Sequence, residues 1–447
     1  MRIFTRQSEL ADGNLALALA PALTPSGIVR DPSFFRGFVV YPQVLARGLL
    51  ILADITSTRY FNYTPEPLRD PVLSAQGDRL RAECFSACNG VYARLDLLQS
   101  GFDGDIAFGT TNVDIGTELR KALTQVTRQD KLHVNIGDNG LTTSHINRVN
   151  DKTDHIANII HERPVQMPDR WVRALGNSAE IHRSMTPVFT LKGAQAQAFV
   201  ASLPPATGKN QSGWLTPQPT GTKLMPRRSS GAVFVSGLHR LSAIKRIMTN
   251  ISSITFYMPS DGDPGPFMLE VELPSTRLTI SLTAEAWQGY SGEGSLLESL
   301  AQQDVLEDAE SISSLLEFDA VINENQMLHK WNMDENRLHA ALALLAVSGK
   351  LGFDVHDLAY FHRELPDDPN RVLKDNPRLK AARKLTDAVK STGNNQWTVH
   401  SNEADYRVIY NTTQGANDAK CTCTWYLNHQ NRRGPCKHIL AVQLRSH

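Results

Sequence analysis

The chain has little cysteine, no net charge and no long apolar run, and each shortage closes off a class of protein. Five cysteines in 447 residues are too few for the disulfide framework that staples small secreted domains. Sparse thiols fit a reducing compartment, so a cytoplasmic location is expected. Lys and Arg together number 46, as do Asp and Glu, so the whole molecule has no global pull toward nucleic acid or an anionic membrane. No segment approaches the roughly 18 apolar residues that cross a bilayer, and no membrane partner is expected. The stretch LALALAPAL (15–23) follows Glu9 and Asp12 and alternates Leu with Ala as a strand would, so it does not read as a signal peptide.

Complete catalytic motifs are lacking as well. Gly208-Lys209 has neither the upstream glycine nor the following Ser/Thr of a phosphate loop. Gly289-Tyr290-Ser291-Gly292 misses the register of a nucleophile elbow. Ser242-Ala243-Ile244-Lys245 stands without its S-D-N and K-T-G companions. Asp103-Gly104-Asp105 and Asp261-Gly262-Asp263 read as turns. The expectation is a protein that is not an enzyme.

What is present is concentrated at the end. Cys421, Cys423 and Cys436 fall within sixteen residues, and His438 follows two positions later. Thiolates and imidazole are the ligands Zn²⁺ prefers, and four of them close a tetrahedral structural site. Cys421 and Cys423 are two apart, so on a strand both sulfurs face the same way. Cys436 follows the turn signal Gly434-Pro435 and precedes the apolar run Ile439-Leu440-Ala441-Val442. It therefore belongs in the turn, with His438 reaching back from the first helical turn. A helix N-terminus also favours thiolate over thiol. The alternatives are buried cysteines, or a redox pair with an unrelated histidine; residue types, order and helix-start context favour one closed Zn²⁺ site. His429 is the other candidate for the fourth ligand, although its polar loop LNHQNRRG suits a solvated ring. Cys84 and Cys88 have the wrong spacing for a redox or zinc pair and read as buried thiols.

The C-x-C … C-x-H order, with Trp425-Tyr426 after the first pair and Gly434-Pro435 before the second, resembles the SWIM zinc finger. That module is found in Swi/Snf-type ATPases, Mu-type transposases and many bacterial proteins. The resemblance extends to LALLAVSGKLGFDVHDLAYFHRELP (342–366), PSTRLTISLTAEAWQGYSGEGSLLESL (274–300) and, more loosely, ECFSACNGVYARLDL (83–97). These blocks are similar to a bacterial SWIM-protein family whose genes sit beside a MoxR-type AAA ATPase and a von Willebrand A domain protein. The resemblance implies binding to DNA or to protein, those two partners included.

Charge is uneven along the chain. Residues 297–370 hold fifteen acidic and four basic side chains, and residues 371–447 hold thirteen basic and five acidic ones. A basic module beside an acidic one suits nucleic acid, and equally suits docking of the two on each other. Asn376-Pro377 is a helix-start pair, and a helix over 377–390 groups Ala381, Ala382, Leu385, Ala388 and Val389 on one face. Lys380, Arg383, Lys384 and Lys390 fall in a separate arc. They read as phosphate contacts, against the plain alternative of a solvated face. Arg432 and Arg433, before Gly434, are further candidates for an anion, while Lys437 suits neutralising the negative zinc site. A DNA-binding protein and a non-enzymatic adaptor are the two functional readings.

The expected architecture is α+β and multi-domain. An α+β segment covers 1–202, a Pro/Gly/Ser/Thr-rich linker 203–230, and a second α+β segment 231–300. A helical region, helix-turn-helix-like in its 335–348 and 377–390 helices, covers 301–392. A ββα zinc finger occupies 393–447, with strands near 397–400 and 406–411, the Cys421–Cys423 strand, and a helix from about 437. The stretches 107–148 and 231–282 share a strand–helix–hairpin order.

Overall fold

The computed structural model describes residues 9–11, 14–16, 22–24, 27–29, 33–62, 64–65, 70–137, 139–150, 153–165, 167–290, 305–314, 316, 321–331, 333–363, 377–411, 418–431 and 434–446. Helices and sheets are mixed throughout, an α+β architecture. The chain divides into two compact units, one of residues 1–171, 184–290 and 363–366, the other of 172–183, 291–362 and 367–447. The first unit thus takes in residues on both sides of 203–230.

An eight-stranded sheet dominates the first unit. Its strands lie in the order Phe108–Asn112, Val72–Gln76, Arg79–Phe85, Val91–Leu98, Thr276–Leu282, Phe267–Leu273, Ser253–Pro259, Met185–Lys192. Two antiparallel runs of four strands join where Val91–Leu98 pairs with Thr276–Leu282. Because side chains alternate along a strand, each face forms rows across the sheet. One row is Leu95, Leu278, Val271 and Ile254, fully or almost fully buried. Helix Pro42–Thr56 covers this apolar face over Val91–Leu98 and Arg79–Phe85, reaching Thr276–Leu282 at its margin. It comes close because residue 48 is glycine: a Cβ there would lie 2.6 Å from a Leu95 methyl.

The opposite face is polar and also buried. Arg81 lies 3.2 Å from Asp96, which Arg94 contacts at 2.9 Å. Glu83 accepts from Tyr92 at 2.6 Å and from both Arg363 nitrogens at 2.6 and 2.7 Å. Burial alone pushes the Glu83 carboxyl up, but Arg363, then Tyr92, hold it down to about 2. Cys84 is buried and points at the Leu52 carbonyl. Cys88, expected to be buried, is only half-buried, 3.4 Å from the Ser86 hydroxyl, since it lies in the turn between two strands.

A second, five-stranded sheet runs Phe102–Ile106, Ser33–Val39, Lys131–Gly137, Gly140–Asn150, Thr153–Glu162. The stretches 107–148 and 231–282 each place a strand in one sheet, a helical segment, then antiparallel strands in another sheet. Within 203–230, read from composition as a linker, the chain instead forms a hairpin of Ser212–Gln218 and Gly221–Met225, which pairs further with Val233–Ser236. Two apolar residues outweigh the turn-rich composition. Trp214 and Leu215 are buried, with Phe234 edge-on to Trp214 at 5.5 Å and Arg228 over it at 5.2 Å.

In the second unit, helix Glu335–Val347 begins at Asp334, whose carboxylate accepts from the Asn336 and Arg337 amides at 2.9 and 3.2 Å. It ends at Gly349, where φ is +82°. Arg337 holds Asp308 of helix Val305–Ser313 at 2.7 and 2.9 Å. The helix-turn-helix expectation fails here. A hairpin of Leu351–Asp354 and Ala359–His362 follows the first helix, and the second helix packs on the C-terminal helix instead.

That second helix is also shorter than the expected 377–390. It spans Pro377–Arg383; a 3₁₀ turn Thr386–Ala388 follows, and Val389–Gly393 is a strand. Thr386, Asp387, Val389, Ser391 and Thr392 are poor helix formers. The strand pairs across the turn at Asn394-Asn395 with Gln396–Ser401. Lys390 therefore sits on a strand, away from the helix. The partner residue Asn376 lies outside the described residues. A four-stranded sheet results, ordered Val389–Gly393, Gln396–Ser401, Ala404–Ile409, Lys420–Cys421. The terminal helix Lys437–Ser446 lies against all four strands and buries Ile439, Leu440, Ala441 and Val442 completely. At about 1.5–3 kcal/mol per large aliphatic side chain, this helix is the module's core.

Candidate metal centre

Four short pieces of structure converge on one point. Cys421 ends a strand, and Cys423 precedes helix Thr424–His429 in extended conformation. Cys436 precedes the terminal helix, and His438 stands in its first turn. The six-residue helix Thr424–His429 was not expected, and it changes how the first pair converges. Cys423 has left the strand and reaches the site from a helix start, not from a shared strand face. Both Cys423 and Cys436 thus sit where a helix N-terminus favours a thiolate. Backbone amides point at sulfur as well: Cys423 N lies 3.4 Å from Cys421 Sγ, and Ile439 N lies 3.4 Å from Cys436 Sγ.

The candidate ligand atoms of Cys421, Cys423, Cys436 and His438 all lie within 4.8 Å of one another, and all four residues are buried. Cys421 Sγ is 3.8 Å from His438 Nδ1. Zinc bonds of roughly 2.3 Å to sulfur and 2.0–2.1 Å to nitrogen imply tetrahedral edges of roughly 3.5–3.8 Å, so the residues fit the ion. Three thiols this close perturb one another. Hydrogen bonds from Cys421 and Cys436 pull Cys423 far below the ordinary thiol range. The bonds Cys421 makes to Cys423 and Cys436 push Cys421 far above it. For Cys436 the bond from Cys421 pulls down, but the bond to Cys423 and burial leave it at about 11. Neighbouring thiols oppose one another's ionisation; a divalent cation makes three thiolates compatible, and when bound it ties four chain segments together.

Other side chains fix the ligands. The His438 ring stacks on Tyr406, centroids 4.1 Å apart at 16°. Arg378 donates to the carbonyls of Gly434 and Pro435 at 3.2 and 3.0 Å, just before Cys436. Its guanidinium lies 4.4 Å from the Trp425 ring centre, and Trp425 Nε1 donates to the same Gly434 carbonyl at 3.4 Å. Sequence reasoning counted Arg378 only as one more cation and gave Tyr406 no role. The Trp425-Tyr426 and Gly434-Pro435 pairs were the available signal, since an aromatic and a bent loop flanking the ligands need a clamp. His429 tilts against Trp425 at 4.4 Å and is not in the cluster. Lys437 bonds Ser401 Oγ at 3.1 Å, so its ammonium faces the sheet.

The expected anion contacts separate into three groups. Lys380, Arg383 and Lys384 are exposed on or just after the short helix. Lys390 is exposed on the edge strand. Arg432 and Arg433 lie outside the described residues. No helix among the described residues is long and apolar enough to cross a membrane.

A buried Cys₃His set with no open ligand position defines a structural zinc centre. Its type follows from comparison: residues 406–445 match the family model of the SWIM zinc finger. No curated protein matches the chain. Among solved structures it is similar to the Proliferating Cellular Nuclear Antigen of Entamoeba histolytica, at 13% identity and a TM-score of 0.37, covering 56% of this chain and 99% of that one. It is also similar to a chain of the PCNA2-PCNA3 complex of Sulfolobus tokodaii, at 9% identity and a TM-score of 0.40, covering 56% and 98%. Likenesses this loose carry nothing about what the chain does.

Proposed function

We propose that this zinc-binding SWIM-finger protein binds DNA through its basic C-terminal module and is not an enzyme. One observation carries the reading. Lys380, Arg383, Lys384 and Lys390 are exposed, and none has a carboxylate partner among the described residues. Many other cations are committed, as Arg81, Arg94, Arg120, Arg183, Arg246, Arg337 and Arg363 are to Asp or Glu. Lys192, Lys209, Lys223 and Lys245 are also exposed without such a partner among the described residues, but they are scattered, whereas Lys380, Arg383, Lys384 and Lys390 fall within eleven residues of chain. Unpaired cations on a rigid, metal-tied support are what phosphate contact needs, because their attraction is not spent internally. Nothing in the metal centre offers the open coordination position that catalysis by zinc requires.

The test is a duplex mobility shift at low salt, with Arg383→Glu and Lys384→Glu combined. Both lie on the solvent side of the module, so zinc content should stay at one per chain while the shift disappears. Wild-type protein that keeps its zinc yet shifts no duplex would overturn the reading. It would point to the adaptor role, with partners such as a MoxR-type AAA ATPase and a von Willebrand A domain protein. Co-purification that survives the double substitution would establish that role.

A further inference from the structure

The four-stranded sheet of the zinc module has one covered face and one open face. Val399, Val408 and Cys421 are buried under the terminal helix, so their neighbours in sequence point the other way. On that open side Lys390, Thr398 and Arg407 form one cross-strand row, and Ile409 stands opposite Lys420 in the next. Directly opposed residues share a face. Lys390 and Arg407 are two strand spacings apart, roughly 10 Å. Lys420 lies one strand further and two residues along, roughly 8 Å from Arg407. Arg407 and Lys420 line an open groove of about 570 Å³ whose walls also include Gln396, Thr398, Ile409 and Thr422; Lys390 stands in the row beside it.

All three cations are exposed, and none has a carboxylate partner among the described residues. Among the described strand residues of the open face the acid is Asp405, which His400 engages at 2.8 Å; Asp418 is exposed in the turn before Lys420. Ile409, which lines the groove, is 51% exposed.

We infer that this sheet face is a track for a single strand of nucleic acid, with phosphates on Lys390, Arg407 and Lys420 and a base against Ile409. The inference rests on the nucleic-acid reading above and adds a second surface to it, distinct from the helix carrying Lys380, Arg383 and Lys384. Charge complementarity selects a polyanion. The exposed apolar side chain of Ile409 favours a single strand, because a duplex turns its phosphates outward and keeps its base faces stacked, gaining nothing from that contact. The groove has the volume of a site for one small organic group, which suits an unstacked nucleotide.

The experiment is fluorescence anisotropy at low salt on the full chain, with a labelled dT oligomer of about 20 nucleotides and a duplex of the same length. Combining Arg407→Glu with Lys420→Glu should weaken single-strand binding by at least about tenfold and duplex binding by less than about threefold. Because Lys420 adjoins Cys421, zinc content is measured in parallel. If the glutamate pair loses zinc, Arg407→Gln with Lys420→Gln decides in its place, with a smaller loss in the same direction. Unchanged single-strand affinity in a zinc-loaded variant overturns the inference, as does a wild-type protein that binds duplex but not dT. Both leave the duplex reading standing. Wild-type protein that binds neither overturns both.

Discussion

Arg378 holds three things at once: the carbonyl oxygens of Gly434 and Pro435, and the face of Trp425. Those carbonyls precede Cys436, so the side chain sets where the third sulfur enters the site. Tyr406 does the same for His438 by stacking. Supporting groups of this kind are worth about 10–100-fold in metal affinity. Arg378→Ala and Tyr406→Ala should each weaken zinc binding by about that factor in a chelator competition, with all four ligands present. A lysine at 378 should not restore affinity, because it lacks the planar fork that serves two carbonyls and a ring together. At Glu83 the prediction concerns pH. Its carboxyl is held down to about 2 in the folded protein, below its ordinary range near 4.3. The stabilisation is therefore complete above that range and is lost as pH falls toward 2. Glu83→Gln leaves Arg363 buried without its counter-charge and should cost roughly 3–5 kcal/mol at neutral pH. Denaturant melts between pH 5 and 2 should show a steep loss for wild type and a shallower one for the variant.

At the scale of elements, the sequence spoke clearly wherever a local rule decides. Asp334 caps its helix and Gly349 stops it, because a carboxylate and a positive φ are needed at those points. The turn Gly77-Asp78 joins Val72–Gln76 to Arg79–Phe85, with Gly77 at φ +79° where glycine is favoured. Composition misled where two or three residues outweigh the rest. Trp214 and Leu215 seat a hairpin in a stretch that otherwise reads as a linker, and Val389 begins a strand where periodicity alone continued a helix. The four ligands were legible because type and spacing both speak of metal. Arg378, Tyr406 and the helix after Cys423 were not, since their role appears only when distant segments meet. The same distinction governs stability of the module. Its apolar core is little more than the terminal helix against four short strands, so metal and fold should be coupled. Cys436→Ser should remove zinc and unfold residues 389–446, read as loss of amide-exchange protection there with the eight-stranded sheet still protected. Leu440→Ala, fully buried in wild type, should cost about 2–5 kcal/mol without changing the ligand set.

At the scale of the molecule, a formal net charge of zero conceals two populations of charge. One is paired and buried: Arg81 and Arg94 with Asp96, and Arg363 with Glu83, all almost inaccessible to water. Glu83, Tyr92, Arg94 and Asp96 come from one stretch of chain and Arg363 from another, 280 residues on from Glu83. The other is exposed and, among the described residues, without a carboxylate partner: Lys380, Arg383, Lys384 and Lys390 close together in sequence on the zinc module, and Lys192, Lys209, Lys223 and Lys245 scattered elsewhere. Salt should tell the two apart. Mobile ions screen charges in solvent over about 10 Å at 0.1 M, but reach buried pairs poorly. Between about 50 and 200 mM salt the thermal midpoint of the eight-stranded sheet should hardly move. Over the same range duplex affinity should fall by about 0.9 log units per decade of salt for each phosphate neutralised. Replacing Lys380, Arg383 and Lys384 with glutamine should flatten that slope by about one unit for each phosphate the variant no longer neutralises, leaving the melting curve unchanged. A slope that the three substitutions do not alter would place the phosphate-binding cations elsewhere in the chain. A thermal midpoint that drops with salt as steeply as the affinity would mean that the paired cluster is open to solvent, and that the division of charge proposed for the whole molecule is wrong.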